Sequence, residues 1–119
     1  LTLVSTANTI YKDRRGNSPI AYFLDRLKAK DAQKVTWVLR LNEEHDIVPK
    51  TYFKKLTGHG NLWEVRAQSS NAAYRFLCFQ HKNRIIVLTN GFQKDEQDPG
   101  NEIQLALRRK ADWQERNEQ

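Results

Sequence analysis

Residues 62–94 read LWEVRAQSSNAAYRFLCFQHKNRIIVLTNGFQK, and this stretch decides the fold. It holds three apolar runs separated by two short polar breaks. In the first, LWEVRAQ at 62–68, Leu62, Glu64 and Arg66 alternate with Trp63, Val65 and Ala67, so each set occupies one face of a strand. Ser69-Ser70-Asn71 is a turn signal. The run AYRFLCFQH at 73–81 is rich in aromatics, and Lys82-Asn83 reads as a short hairpin turn. Arg84 to Phe92 contains IIVL, the continuous apolar pattern of a strand covered on both faces. Asn90-Gly91 reads as the exit of that strand, with Phe92 and Lys94 just beyond. The pattern predicts a three-stranded antiparallel meander.

Working outward, NTIYK at 8–12 is a candidate first strand, and Arg14-Arg15-Gly16-Asn17 a loop. Ser18-Pro19 has the form of an N-cap followed by proline at the first helical position. Ile20, Phe23, Leu24 and Leu27 then share one helical face, which predicts a helix over 19–29. Asp31 reads as a second N-cap. Behind it Val35, Val38 and Leu39 form a stripe flanked by Trp37 and Leu41, predicting a helix over 31–45 that pairs with the first as a hairpin. Asp98-Pro99 repeats the cap-and-proline signal ahead of a third helix over 100–114, with Ile103, Ala106, Leu107 and Lys110 on one face. The polar residues 114–119 are expected to fray. The predicted order is β-α-α-β-β-β-α, an α+β fold with one antiparallel sheet packed against helices. At 119 residues, the expectation is one domain over 1–119 with one core.

Charge is unevenly spread. Residues 50–94 carry eight Lys or Arg and one acid, Glu64, for a net +7, whereas the whole chain is +6. The remaining residues therefore sum to −1. A sheet region that gathers the positive charge of a small protein is suited to a polyanion. No apolar run approaches the roughly 20 residues of a membrane span, so no membrane partner is expected. The first residues, LTLVSTANTIYKD, lack a charged leader and a long apolar block, so no secretory signal is expected. The single Cys78, inside FLCF, cannot form an internal disulfide. A reducing, cytoplasmic location and a buried thiol are the expectation.

The three histidines, at 45, 59 and 81, have no metal-ligand spacing, and no Gly-rich loop opens a helix after a strand. No metal or cofactor is expected. What remains is cationic: Lys54 and Lys55 before the meander, Arg66 and Arg75 in adjacent strands, and Lys94 after the last. Two readings stay open. Glu64 can join Arg66 and Arg75 in a buried network that fixes sheet register. Alternatively, the cations form a face for a phosphate backbone. Such a face suits RNA cleavage by the 2′-hydroxyl, which needs a base, charge neutralisation at phosphorus and a proton for the leaving oxygen. A lysine crowded by cations can supply the base. Tyr52, Tyr74 and Phe92 are candidates for stacking on splayed bases, and His59 for contacting RNA or donating a proton.

Several pieces together resemble a known family: GNSPIAYFLDRL at 16–27, KKL at 54–56, LWEVR at 62–66, AYRF at 73–76, IIVLTNGFQK at 85–94, DP at 98–99 and EIQLALRRKADW at 102–113. In that order they resemble the HigB-like branch of the RelE/ParE toxin superfamily, from phage-derived and plasmid-like toxin–antitoxin modules. The resemblance implies a RelE-like fold and metal-independent cleavage of mRNA on the ribosome. It also implies a cognate antitoxin, usually of helix-turn-helix type. ParE-type relatives poison DNA gyrase instead, and a non-catalytic binding relative is a third reading. Arg66, Arg75, Lys94 and the Lys54–Lys55 pair match the family's basic positions. The typical HGF-x-KK segment reads Asn90-Gly91-Phe92-Gln93-Lys94-Asp95 here, so Asn90 stands for a histidine and Asp95 for a lysine. Asp95 beside Lys94 favours the charged ammonium, which casts Lys94 as a phosphate clamp and leaves Lys54 or Lys55 as the base.

Overall fold

The structure, a computed structural model, describes residues 7–44, 48–82 and 85–117. Eight elements follow in the order β1 (Ala7–Ile10), α1 (Pro19–Asp25), α2 (Ala29–Glu44), β2 (Phe53–Lys55), β3 (Leu62–Gln68), β4 (Ala73–His81), β5 (Ile85–Gln93) and α3 (Pro99–Asn117). His45, Asn83, Arg84 and the last two tail residues, to which the expectations above extend, lie outside the described residues.

The fold is α+β, with one five-stranded sheet in the order β1-β5-β4-β3-β2. Two expectations need correction. The sheet is mixed rather than antiparallel, because β1 runs parallel to β5, with Ala7 opposite Ile85 and Ile10 opposite Leu88. A further strand, β2, pairs antiparallel with β3 at the outer edge. The Lys54–Lys55 pair, expected in the approach to the meander, is part of that strand.

The meander itself forms over the expected residues, with Arg66 opposite Arg75 and Arg75 opposite Phe92. Asn90-Gly91 is not the strand's exit: β5 continues to Gln93, and Gly91 pairs with Phe76. A side chain at Gly91 would meet the Phe76 ring at 2.7 Å, so glycine makes room for that ring inside the strand.

Helices cover both faces, and two apolar clusters result where one core was expected. On one face Phe23 and Leu24 of α1, Leu27 just after it, and Val35 and Val38 of α2 pack on Val65, Phe76, Cys78 and Ile86. On the other, Ile103, Ala106, Leu107 and Trp113 of α3 pack on Leu62, Leu77, Phe79 and Val87. Phe76, Leu77, Cys78 and Phe79 are consequently buried in succession. Burial pushes the Cys78 thiol far up, which keeps it unreactive.

Ser18 caps α1 as expected, its Oγ accepting from the Ala21 amide at 3.1 Å. Yet α1 ends at Asp25, short of 29, and α2 starts at Ala29 rather than after Asp31. Asp31 therefore lies inside the first turn of α2. Its buried carboxylate accepts the Tyr74 hydroxyl, a stronger use than a solvent-side cap. Helix α3 holds through Asn117 instead of fraying at 114. Its last turns are tied down where Asp112 accepts from the Tyr11 hydroxyl at 2.6 Å and pairs with Arg14 and Arg116.

Candidate nucleic-acid interface

Side chains alternate along a strand, and directly paired residues share a face. The register therefore sorts the candidate residues. Lys54 is opposite Glu64, Arg66 is opposite Arg75, and Lys94 follows Phe92 on the same face, its amide donating to the Ala73 carbonyl at 2.8 Å. Lys54, Arg66, Arg75 and Lys94 thus lie on the face that α3 packs against, on the part where the strands run past α3's apolar contacts. Lys55 is opposite Trp63 and belongs to the other face.

Glu64 is the anion inside this set. Its Oε1 lies 3.1 Å from Arg66 Nε and 3.5 Å from Arg75 Nε. The Arg66 contact is an ion pair without hydrogen-bond alignment, which leaves the Arg66 Nε–H without a bonded acceptor. Arg75 also donates from Nη1 to the Tyr74 carbonyl at 3.2 Å. Burial lowers the Arg75 guanidinium, Glu64 draws it back up, and the Arg66 charge lowers it again. Both readings of the arginines thus hold a part of the arrangement: they form a network with Glu64, and they also face open space. Arg66, Arg75, Tyr52, Thr51, Gln68 and Lys34 line a groove of about 420 Å³ along the edge of β3 beyond the end of β2. Arg66 on β3 and Arg75 on β4 share the Glu64 carboxylate, and Lys34 from α2 adds a third cation to the groove. The excess charge is available to a phosphate.

The aromatic candidates divide. Tyr52 lines the groove and is half-buried. Phe92 and Tyr74 are corrections: Phe92 is buried beneath α3, and Tyr74 is buried with its hydroxyl on Asp31. Neither ring offers a face to a base. His59 is exposed but sits at the far end of β3 from Arg66, in a loop docked on α3 through Gly60, whose carbonyl accepts from Lys110 at 2.5 Å. The four residue steps from Leu62 to Arg66 alone span about 13 Å. His59 is therefore separated from the arginine groove.

Asn90 also lies away from the groove. It is buried, its Nδ2 donates to Glu102 Oε1 at 2.9 Å and to the Glu102 carbonyl at 3.2 Å, and its Oδ1 accepts from Thr89. The residue in the histidine position is a clamp between β5 and the first turn of α3. Asp95, the other departure, acts electrostatically on Arg75 and draws its guanidinium upward.

Sequence reasoning missed Lys34 and Trp37. Lys34 Nζ lies 4.6 Å from the Trp37 ring centre and 6.0 Å from that of Tyr52. Their spacing of three along α2 was a signal that the two share a helix surface. Their position beside the arginines becomes visible only when α2 packs across the sheet.

Residues 22–111 match the family described as phage derived protein Gp49-like (DUF891). The chain belongs to this family. Among curated proteins, none matches. Among solved structures, this Gp49-like chain is similar to one from the archaeal RelE–RelB complex of Pyrococcus horikoshii OT3. The TM-score is 0.55 and the identity 17%, over 78% of this chain and 99% of that one. The fold is RelE-like. Among the described residues, no helix is long and apolar enough to cross a membrane.

Proposed function

We propose that this Gp49-like chain is the toxin of a toxin–antitoxin module and acts as an endoribonuclease on mRNA at the ribosome. One observation carries the reading: Arg66 and Arg75 line an open groove with, among the described residues, only the Glu64 carboxylate paired to them, and Lys54 and Lys94 extend the cationic surface along the same sheet face. The Gp49-like membership and the RelE-like fold support it.

In this mechanism the RNA supplies its own nucleophile. Lys54 takes the proton of the 2′-hydroxyl. The 2′-oxygen bonds to phosphorus and the bond to the 5′-oxygen breaks, leaving a 2′,3′-cyclic phosphate and a 5′-hydroxyl. Arg66 and Arg75 neutralise the phosphorane, whose charge exceeds that of the ground-state phosphate. Lys94 clamps the neighbouring phosphate, and an ammonium of the cluster or water returns a proton to the leaving oxygen. Lys55 has no part, because it faces away.

The partner in this reading is an antitoxin that covers the cationic face, as the RelE–RelB pairing leads one to expect, with a helix-turn-helix domain by family resemblance. The whole chain acts as one toxin domain in the cytoplasm. Expression in cells, followed by mapping of RNA 5′ ends, tests the proposal. Growth arrest with new 5′-hydroxyl ends inside translated messages is expected. Arrest without RNA ends, together with inhibition of purified gyrase, would replace it with a ParE-type activity.

A further inference from the structure

Beside the arginine groove, Tyr52 is paired with a second aromatic ring. Trp37 on α2 and Tyr52 ahead of β2 meet edge to face, with ring centres 5.5 Å apart and planes at 78°. Tyr52 lines the groove together with Arg66 and Arg75. Trp37 is 48% exposed, although indole is among the costliest side chains to leave in water. The only cation over its ring among the described residues is Lys34, and Lys34 lines the same groove.

We infer that Trp37 and Tyr52 form a base-binding subsite, which takes the nucleobase of a single-stranded RNA whose phosphate lies against Arg66 and Arg75. This rests on the nuclease reading above and names the substrate feature recognised at that site. Three features meet there. An open indole face can stack on any base. The pair abuts a groove lined by three cations, Lys34, Arg66 and Arg75. Lys34 links the two halves, because its ammonium rests on the indole and reaches the groove.

The linkage has an energetic direction. An exposed cation–π contact contributes only about 0.5–1 kcal/mol. A charge-assisted hydrogen bond to phosphate is stronger than that. A phosphate entering the groove therefore draws Lys34 off the indole and opens the ring face as the base arrives. Backbone and base are captured in one event. Duplex RNA, with its bases stacked inside, gains nothing from the indole, so the subsite selects single strands.

The test measures binding of the full chain to a short single-stranded RNA, to the same strand with abasic sites, and to a ten-residue glutamate peptide. The expected result is that Trp37→Ala weakens binding of the intact RNA by about 5- to 150-fold, the range of one lost base stack. The abasic strand should bind wild type and variant alike, and Trp37→Phe should restore most of the affinity. If intact RNA binds Trp37→Ala as tightly as wild type, the subsite is overturned while the cationic groove stands. If the glutamate peptide loses as much affinity as the RNA, the ring serves an acidic protein segment and the inference fails. If wild type binds no RNA at all, both the subsite and the nuclease reading fail.

Discussion

Arg66 and Arg75 stand directly opposite one another in the β3–β4 ladder and share one carboxylate oxygen of Glu64. Like charges opposite one another in a sheet repel. Glu64 holds the pair together without neutralising it, so two guanidiniums are kept side by side with one positive charge in excess. Lys54, across β2 from Glu64, adds another.

Truncation of Arg75 should separate activity from stability. Arg75→Ala removes one ion pair but also relieves the repulsion from Arg66, so thermal unfolding should report a change of no more than about 1–2 kcal/mol. RNA cleavage should fall by at least about 10²-fold, the usual cost of losing a group that stabilises transition-state charge. A folded Arg75→Ala protein as active as wild type would remove the arginine from the site.

Glu64→Gln should act in the opposite sense on binding. Without the carboxylate, both arginines keep their full charge for phosphate. Affinity for single-stranded RNA should rise, and the dependence of log K on log salt should steepen. Stability should drop by about 1–3 kcal/mol, because two guanidiniums lose their shared partner. Titrations at several salt concentrations and urea unfolding read the two effects.

Asn90 should matter for folding and not for chemistry. Asn90→Ala removes the buried amide that donates to the Glu102 side chain and carbonyl, while the Thr89 hydroxyl keeps the Leu77 carbonyl. A loss of about 1–3 kcal/mol is expected in chemical unfolding, with RNA affinity unchanged. A selective loss of cleavage with stability intact would return this position to the active site.

The Tyr74–Asp31 pair should give the fold an alkaline and an acid edge. Burial and then the Asp31 bond push the Tyr74 hydroxyl up to about 12, above the usual value near 10. Because the folded value is the higher one, the contribution is complete below about pH 10 and is lost as pH rises toward 12. The Tyr74 bond holds the Asp31 carboxyl below its usual range, aided by Ser69 and opposed by burial. Its contribution is present above about pH 4 and disappears as pH falls further. Tyr74→Phe should lower the neutral-pH melting temperature by several degrees and flatten both edges, as followed by circular dichroism.

Much of the fold was legible because it is written in local patterns. β3 shows strict alternation, β4 and β5 show long apolar runs, and Ser18-Pro19 and Asp98-Pro99 mark two helix starts. The parallel pairing of β1 with β5 was not legible, since it joins residues more than 70 positions apart by register alone. The three residues of β2 are too few for a periodic signal. In the site, the basic residues could be named from sequence, but the division of Lys54 from Lys55 required the strand register. Phe92 and Tyr74 were misread because an aromatic in a strand looks the same whether its face meets a helix or water. Asp31 has the look of a cap in sequence because its buried partner, Tyr74, lies 43 residues away.

The most direct test compares two adjacent lysines of equal charge. Lys54 shares the face of Glu64, Arg66 and Arg75, and Lys55 points to the opposite side of the sheet. Purified Lys54→Ala and Lys55→Ala variants would be assayed for cleavage of mRNA on programmed ribosomes. The expected result is a loss of about 10²-fold or more for Lys54→Ala, the scale of a missing general base, and near wild-type cleavage for Lys55→Ala. Equal losses, or a larger loss for Lys55→Ala, would contradict the assignment of RNA chemistry to this face.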